Sequence, residues 1–464
     1  MLTQELARKI LSEALSTGGD FAELFCEDTQ GTTISLNQEG VENASYTHSR
    51  GVGVRVLCGA RRSYAYTADL SEDALLATAR SAAAAFPGKR EQPATIPDFA
   101  PHSYDDGTPG FEGVNNAMRI NLLRRMYQAA RQESEEIVQV QCRYLDNEQK
   151  VWVINSEGLW ASTRRPYTRV MVTAVASANG ETQTGYIGPG FGRGFDVYDT
   201  LNLEELGHTA AKQAVTMLHA VECPAGTFPV VIDGGFGGVI FHEACGHSLE
   251  ATSVAKGNSE FAGCLGKQIA SSCVTAIDDG TLDGEWGCLH GMDDEGVPAQ
   301  RNVLIENGIL KTYMYDRANA RRVPHPLTGS SRRESYTYAP TSRMTCTFLA
   351  PGTDDPDEMI AGVKEGLYAK SLGGGSVNPL TGEFNFAVNE GYWIRDGKIL
   401  TPVRGATLVG KGSDVLMKID RVGPNMWMMQ GVCGSESGGV PVNIGQPRIR
   451  VSSMTVGGKG DAIK

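Results

Sequence analysis

The stretch FHEACGHSLE, residues 241–250, carries His242, Glu243 and His247. It nearly matches the zinc-protease signature H-E-x-x-H, but one extra residue separates the two histidines. On an α-helix, positions four apart are rotated by about 40° and positions five apart by about 140°. An unbroken helix therefore cannot aim both imidazoles at one metal. A π-bulge or a helix end near Gly246 would allow it, and two unrelated histidines on one helix are the remaining interpretation.

A catalytic zinc site takes three protein ligands and keeps one position open. Among the remaining histidines and the ten cysteines, Cys433 stands out because it lies in the glycine-rich stretch QGVCGSESGGVP, residues 430–441. We expect a loop of small residues there, in which a thiolate can approach a metal. The sequence does not separate Cys433 from Cys245, and a buried free thiol is the more frequent explanation of any single cysteine.

Further candidates lie around this motif. Glu250 follows His247 by three residues and could orient a metal ligand, although a solvated carboxylate at a helix end explains it equally well. An oxyanion-stabilising group is also required, for which His290 and Arg343 are candidates. The glycine-rich stretch DGGFGGVIF, residues 233–241, fits neither phosphate-binding glycine pattern, which disfavours a nucleotide site.

Bulk properties exclude several classes of protein. The chain of 464 residues has a net charge of −12, which argues against a nucleic-acid partner. It has no run of 18 apolar residues, so we expect no transmembrane helix, and its first residues do not resemble a signal peptide. Ten cysteines without a C-x-x-C pair indicate reduced thiols. We therefore expect a cytoplasmic protein without membrane or nucleic-acid partners.

Local patterns predict the elements of an α+β fold. Apolar periodicity and capping residues predict helices over residues 3–16, from Ser71 to just before Pro87, and over 115–133 and 202–219. Val138, Val140, Cys142 and Tyr144 alternate with polar residues, which predicts a half-buried strand. After about residue 265, short β-like runs alternate with turn signals, as in a barrel-like body. The predicted units are an N-terminal α/β unit over 1–100, a middle helix–sheet unit over 101–222 and a strand-rich domain over 223–464.

Several separated segments together resemble one known family. HEACGHSLE at 242–250, LYAKSLGGGSVNPLTGEFNF at 367–386 and GVCGSESGGVPVNIGQPRIRVSSMTVGG at 431–458 carry the resemblance, in that order. GVGVRV at 51–56 and YAYTADLSEDAL at 64–75 extend it to the N-terminal unit. The chain resembles the TldD/PmbA family of metallopeptidases, and within it the TldD-like branch that keeps the histidine–glutamate motif.

The resemblance implies one zinc ion held by His242, His247 and Cys433, with Glu243 as the catalytic acid/base. It also implies a two-part α+β fold whose strand-rich C-terminal region carries the metal. Members of the family act on peptides or unfolded polypeptides. They work as homodimers, or as heterodimers with a related chain that lacks the motif.

Other interpretations stay open. The chain could be a non-catalytic binding or regulatory subunit of a TldD/TldE-like complex, although such a subunit would not need all four of these residues. A zinc amidohydrolase acting on non-peptide amides is a third interpretation. Gly373, Gly374 and Gly375 could let a peptide backbone approach closely in the substrate site, or could form a tight structural turn.

Overall fold

The computed structural model describes residues 2–38, 40–88, 90, 92, 94–378 and 380–463. Short 3-10 helices cover Phe195–Asp199, Gly235–Gly238 and Gly246–Leu249. The α-helices are α1 (Gln4–Ala14), α2 (Glu72–Ala83), α3 (Asn116–Gln132), α4 (Leu203–Leu218), α5 (Val239–Ala244), α6 (Ala251–Val254), α7 (Arg317–Arg322), α8 (Pro356–Ala361) and α9 (Gly412–Lys418). Within the described ranges, every helix is too short or too polar to cross a bilayer.

Strands make up most of the remaining ordered structure. In chain order they are β1 (Phe21–Asn37), β2 (Gly40–Cys58), β3 (Arg61–Thr67), β4 (Ala100–Ser103), β5 (Ile137–Asn155), β6 (Leu159–Ala178), β7 (Glu181–Ile187), β8 (Gly190–Gly192), β9 (Val221–Glu222), β10 (Gly226–Ile232), β11 (Ala276–Asp279), β12 (Gly284–Glu285), β13 (Arg301–Glu306), β14 (Ile309–Leu310), β15 (Ser331–Arg332), β16 (Thr341–Ser342), β17 (Cys346–Leu349), β18 (Glu365–Val377), β19 (Glu383–Arg395), β20 (Lys398–Arg404), β21 (Thr407–Lys411), β22 (Ile419–Ser435) and β23 (Gly438–Gly457).

The N-terminal half is built on one sheet with the strand order β12-β8-β6-β5-β1-β2-β3, to which β4 and β7 add through β6. Helices α1 and α2 bury their apolar faces against β1 and β2, whereas α3 and α4 pack on β5 and β6. The two predicted N-terminal units therefore share a sheet. Their division at residue 100, and the boundary at 222, stay a proposal.

The four predicted helices are found close to their expected positions as α1 to α4. The hydroxyl of Ser71 caps α2 by accepting a hydrogen bond from the backbone N–H of Ala74, as its position before the helix indicates. The predicted strand around residue 140 is β5, but its first residues differ from expectation. A bulge between Ile137 and Gln139 turns Val138 outward, so that its exposure is 57% while Ile137 is buried.

The C-terminal half contains a closed barrel of five strands. β23 pairs with β10, β10 with β18, β18 with β19 and β19 with β21, and β21 pairs back with β23. This closure leaves no free edge within the ring and encloses the largest apolar core of the described chain. The α+β fold with a barrel-like C-terminal region, predicted from the sequence, is confirmed.

Buried ion pairs join the N-terminal sheet to the C-terminal half. The guanidinium of Arg55 on β2 lies 2.7 Å from Glu23 and 2.5 Å from Glu295, and Arg333 lies 2.8 Å from the other oxygen of Glu23. All four side chains are almost completely buried. Because a buried charge is costly without its partner, this network holds the two halves in one relative position.

Candidate metal centre

The motif segment breaks its helix between the two histidines. α5 carries His242 and ends at Ala244, Cys245 takes φ −133° and ψ −47°, and a 3-10 turn then carries His247. The break turns the second imidazole back toward the first, so that the ring centroids lie 5.0 Å apart with the planes at 84°. Of the conformations that the spacing allows, the structure has the helix end rather than the π-bulge.

Gly246, which directly follows the break, leaves room for a neighbouring side chain. A Cβ atom built on it would lie 2.2 Å from the Sδ atom of Met344, far inside van der Waals contact. The glycine therefore lets the motif segment pack directly on Met344, the residue after Arg343. The sequence had suggested only that Gly246 could end or unwind the helix.

Cys433 is held on a strand rather than in the predicted glycine-rich loop. It lies in β22 opposite Val440 of β23, and Ser435 and Gly438 close the hairpin two residues beyond it. Gly438 has φ +84°, a left-handed conformation that favours glycine. The hairpin turn thus fixes the thiolate at the end of a paired strand, a more rigid position than a loop.

Arg343 stabilises this hairpin through hydrogen bonds. Its guanidinium donates hydrogen bonds to the Ser437 hydroxyl at 2.8 Å, to the Gly438 carbonyl at 2.9 Å and to the carbonyl of Cys433 itself. These three bonds join the guanidinium to both strands and the turn of the hairpin, so we assign Arg343 to positioning Cys433, although its Nε has no hydrogen-bond partner among the described residues. Because 90 residues separate the two in sequence, no local pattern could have revealed this role.

The ligand atoms of His242, His247 and Cys433 all lie within 4.8 Å of one another. The Sγ atom of Cys433 is 3.2 Å from Nε2 of His247, close to the edge of about 3.5 Å between donors on a tetrahedral zinc ion. His242 is only 2% exposed, and its buried Nδ1 has no hydrogen-bond partner among the described residues. Two imidazoles and a thiolate are donors that zinc prefers, so the residues present fit a zinc ion.

Electrostatics in this cluster favour the ionised thiol. Burial raises the pKa of Cys433, but hydrogen bonds and the charges of His242 and His247 outweigh burial and lower that pKa to about 3. Burial lowers the pKa of His247, but the charge of Glu250 and the contact with Cys433 outweigh burial and hold it well above its usual value. Without a metal, the cluster is therefore a thiolate paired with an imidazolium.

Two carboxylates flank the His247 ring on opposite sides. Glu250 lies 3.3 Å from Nδ1 and is nearly buried, whereas Glu243 lies 3.8 Å from Nε2, the nitrogen that faces Cys433, and is partly exposed. Glu250 is thus placed to orient the imidazole from behind. Glu243 lies on the side of the ring that faces Cys433 and is the more exposed of the two carboxylates.

The other predicted site residues lie outside the three-residue cluster. Gly373, Gly374 and Gly375 lie in the bulged strand β18 instead of in a turn, and only Gly374 has open space where a side chain would start. Their role in substrate binding stays a prediction. His290 bonds to the thiol of Cys288 at 3.3 Å, and burial lowers its pKa to about 3, so it is a neutral imidazole.

Family models and curated relatives match most of the chain. Three models of the PmbA/TldA metallopeptidase family match the chain: domain 1 over residues 22–86, the central domain over 109–218 and the C-terminal domain over 225–458. A metalloprotease TldD homolog of Haemophilus influenzae is 36% identical over 449 residues, which cover 95% of this chain and 93% of that protein. A metalloprotease of Methanocaldococcus jannaschii is 32% identical, covering 97% of this chain and 99% of its own.

Solved structures show the same fold at lower identity. TldE from Thermococcus kodakarensis superposes with a TM-score of 0.76 at 18% identity, covering 97% of this chain and 98% of that one. A Thermotoga maritima protein, described as a modulator of DNA gyrase, gives a TM-score of 0.77 at 21% identity, with 94% and 96% of the two chains covered. At these identities the likeness is one of fold alone.

Proposed function

This chain belongs to the PmbA/TldD family of metallopeptidases, and from that premise we propose that it is a zinc-dependent peptidase of peptides or unfolded polypeptides. His242, His247 and Cys433 hold the metal, and Glu243 is the general base. The observation that carries the proposal is the convergence of two imidazoles and one thiolate within 4.8 Å, beside a partly exposed carboxylate. A zinc ion supplies a Lewis acid that polarises a carbonyl and lowers the pKa of water to about 7.

The protein's own residues have separate roles in this proposed reaction. Glu243 accepts the proton of the attacking water and delivers it to the leaving amine, which requires a carboxylate that solvent and substrate can reach. Glu250 lies 3.3 Å from Nδ1 of His247 and favours, through its charge, the ring orientation in which Nε2 faces Cys433. Arg343 fixes the carbonyl of Cys433 and with it the direction of the thiolate.

The interpretation as a non-catalytic binding or regulatory subunit is less well supported. A chain that only binds a partner does not need a buried thiolate–imidazolium cluster with a carboxylate beside it, because such a cluster is costly to bury. We also propose that the chain works as a homodimer or as a heterodimer with a related motif-lacking chain, the two assemblies that the family resemblance implies. The ten cysteines are all free, which supports the proposed cytoplasmic location.

Metal analysis tests the proposal directly. We expect gently purified protein to contain about one zinc per chain and to cleave an unfolded polypeptide. Treatment with a chelator should abolish cleavage, and one equivalent of zinc should restore it. Protein that carries no metal and gains no activity with zinc would rule out the proposed function.

Metal affinity should rise with pH because a proton on His247 competes with the metal. Cys433 is already ionised above about pH 4, whereas His247, with its raised pKa, is still protonated at neutral pH. Below that pKa, one bound proton must leave, so the apparent affinity should increase about tenfold per pH unit. Above the pKa of His247, the metal affinity should no longer change with pH. Competition with a chelator of known protonation measures the slope.

Glu250→Gln provides the control for this dependence. Glu250 is the first group that raises the pKa of His247, so the amide should move the levelling-off to lower pH. An affinity that does not change between pH 6 and pH 7 in the native chain would contradict the assignment of the competing proton to His247.

A further inference from the structure

A cavity of about 220 Å³ lies between the N-terminal sheet and the hairpin that carries Cys433. Val440 lines this cavity and also packs against Cys433, its partner across the hairpin. On another side, Arg332 lines the cavity and donates a hydrogen bond of 2.8 Å to the carbonyl of Met344, the residue packed on Gly246 of the motif. Two separate contacts therefore connect the cavity with the candidate metal centre, each through one intervening residue.

Three guanidinium groups line this cavity, and they differ in their partners. Arg165 forms an ion pair with Asp294 at 2.6 Å, and Arg333 pairs with Glu23 at 2.8 Å. Arg332 is 4% exposed, and no carboxylate among the described residues lies within ion-pair distance of it. Glu334 also lines the cavity, but its carboxylate accepts the backbone N–H of Gly439 at 2.7 Å.

Arg332 is therefore a buried cation without an ion-pair partner of its own. Burial lowers the pKa of its guanidinium, and the charges of Arg343 and Arg165 act in the same direction. Tyr167 and Asp294 oppose this change, but Asp294 is already paired with Arg165. Proteins seldom bury a charge that nothing pairs, because its hydration is lost without compensation. The cavity that Arg332 faces offers the place where an anion from outside the chain would supply the missing charge.

We propose that this cavity binds a carboxylate group of the peptide substrate through Arg332. The proposal rests on the proposed peptidase function, because the peptide cleaved at the adjacent metal centre is the molecule that brings the carboxylate. The planar guanidinium fork matches a carboxylate with two parallel hydrogen bonds. The rings of Tyr167 and Trp286, 5.6 Å apart, give the cavity an apolar wall for the rest of the terminal residue.

The small volume limits what can enter. Pockets for drug-sized ligands occupy about 300–1,000 Å³, so 220 Å³ takes a single residue or its charged group. Two sources supply such a group, the free C-terminus of a short peptide and the side chain of an aspartate or glutamate. In both cases, the chain cleaves preferentially near a negative charge in its substrate.

The preference for a carboxylate can be tested by measuring how the metal-loaded native chain cleaves three versions of one short neutral peptide. They are the free acid, the C-terminal amide, and the amide with glutamate as its last residue. We expect kcat/KM for the free acid to exceed that for the plain amide about 10- to 100-fold, the range of a charge-assisted hydrogen-bond pair. If the amide that ends in glutamate is cleaved as efficiently as the free acid, a side-chain carboxylate binds in the cavity as well as a C-terminal carboxylate does. Equal cleavage of all three peptides would overturn the proposal.

Variants of Arg332 then assign the preference to its guanidinium. Arg332→Gln should lower kcat/KM for the free acid much more than for the amide, so that the acid-to-amide ratio falls to about one, while Arg332→Lys should keep part of the preference. Arg421→Gln removes the same charge from an exposed position on β22 and should change neither peptide. An equal loss for acid and amide in Arg332→Gln would show a structural role only and contradict the proposal.

A binding measurement separates this proposal from the peptidase function. Calorimetry with an N-acetylated dipeptide acid and its amide, on the metal-free native chain, needs no cleavage. Selective binding of the acid that Arg332→Gln removes, in a chain that cleaves nothing, would refute the catalytic function and leave the cavity assignment standing. If the chain cleaves peptides but shows no preference for a carboxylate, in kinetics or in binding, the cavity assignment is refuted and the peptidase function stands.

Discussion

Glu243→Gln is expected to lose peptide cleavage by about 10³-fold or more while keeping its metal. The substitution preserves the size of the side chain and removes the group that takes a proton from water and returns it to the leaving amine. Glu243 is partly exposed and lies 3.8 Å from His247, outside the cluster of three donors, so its loss should not open the metal site. Parallel measurements of zinc content and kcat on the purified variant check both parts.

Glu250→Gln is the matched control, because it is the same substitution on the other side of the same imidazole. Glu250 contacts Nδ1 at 3.3 Å, behind the ring, and has no access to the attacking water. This variant should weaken metal binding about 10- to 100-fold and keep most of its cleavage once zinc is saturating. If Glu243→Gln cleaves normally, or if Glu250→Gln is the variant that stays inactive with zinc bound, the base is assigned to the wrong carboxylate.

Short-range signals in the sequence predict much of the secondary structure. Helices α1 to α4 follow from apolar periodicity and from caps such as Ser71, which act within one turn of the chain. The spacing of His242 and His247 led to a break near Gly246 because helical geometry leaves few alternatives. The structure places that break at Cys245.

The missed features depend on partners far away in sequence. Val138 faces outward because β5 bulges against β6, and alternation alone assumes a regular ladder. The glycine-rich stretch around Cys433 suggested a loop, although pairing with β23 makes it a strand. Likewise, the sequence suggested Arg343 only as a candidate oxyanion-stabilising group, and it offered no signal for Arg332. Their burial and their contacts around the Cys433 hairpin exist only after the chain has closed.

Cys433→Ala should remove most of the metal affinity, whereas Cys245→Ala should not. The sequence left both cysteines as candidates for the third ligand, but only Cys433 belongs to the donor cluster, while Cys245 is buried in the apolar core of the C-terminal half. Structural zinc sites contribute about 10–16 kcal/mol, so losing one of three ligands should cost about 3–5 kcal/mol, or about 10²- to 10⁴-fold in affinity.

The loss in Cys433→Ala should come from the missing ligand and not from unfolding. Cys433 lies in a small buried apolar cluster with Val440 and Val442, and Arg343 holds its backbone carbonyl, which alanine retains. We therefore expect an unchanged circular-dichroism spectrum in the metal-free state, together with a zinc affinity that a chelator competition shows to be weakened. Full zinc binding by Cys433→Ala, or loss of zinc from a folded Cys245→Ala, would exclude Cys433 as the third ligand, and with it the role assigned to Arg343.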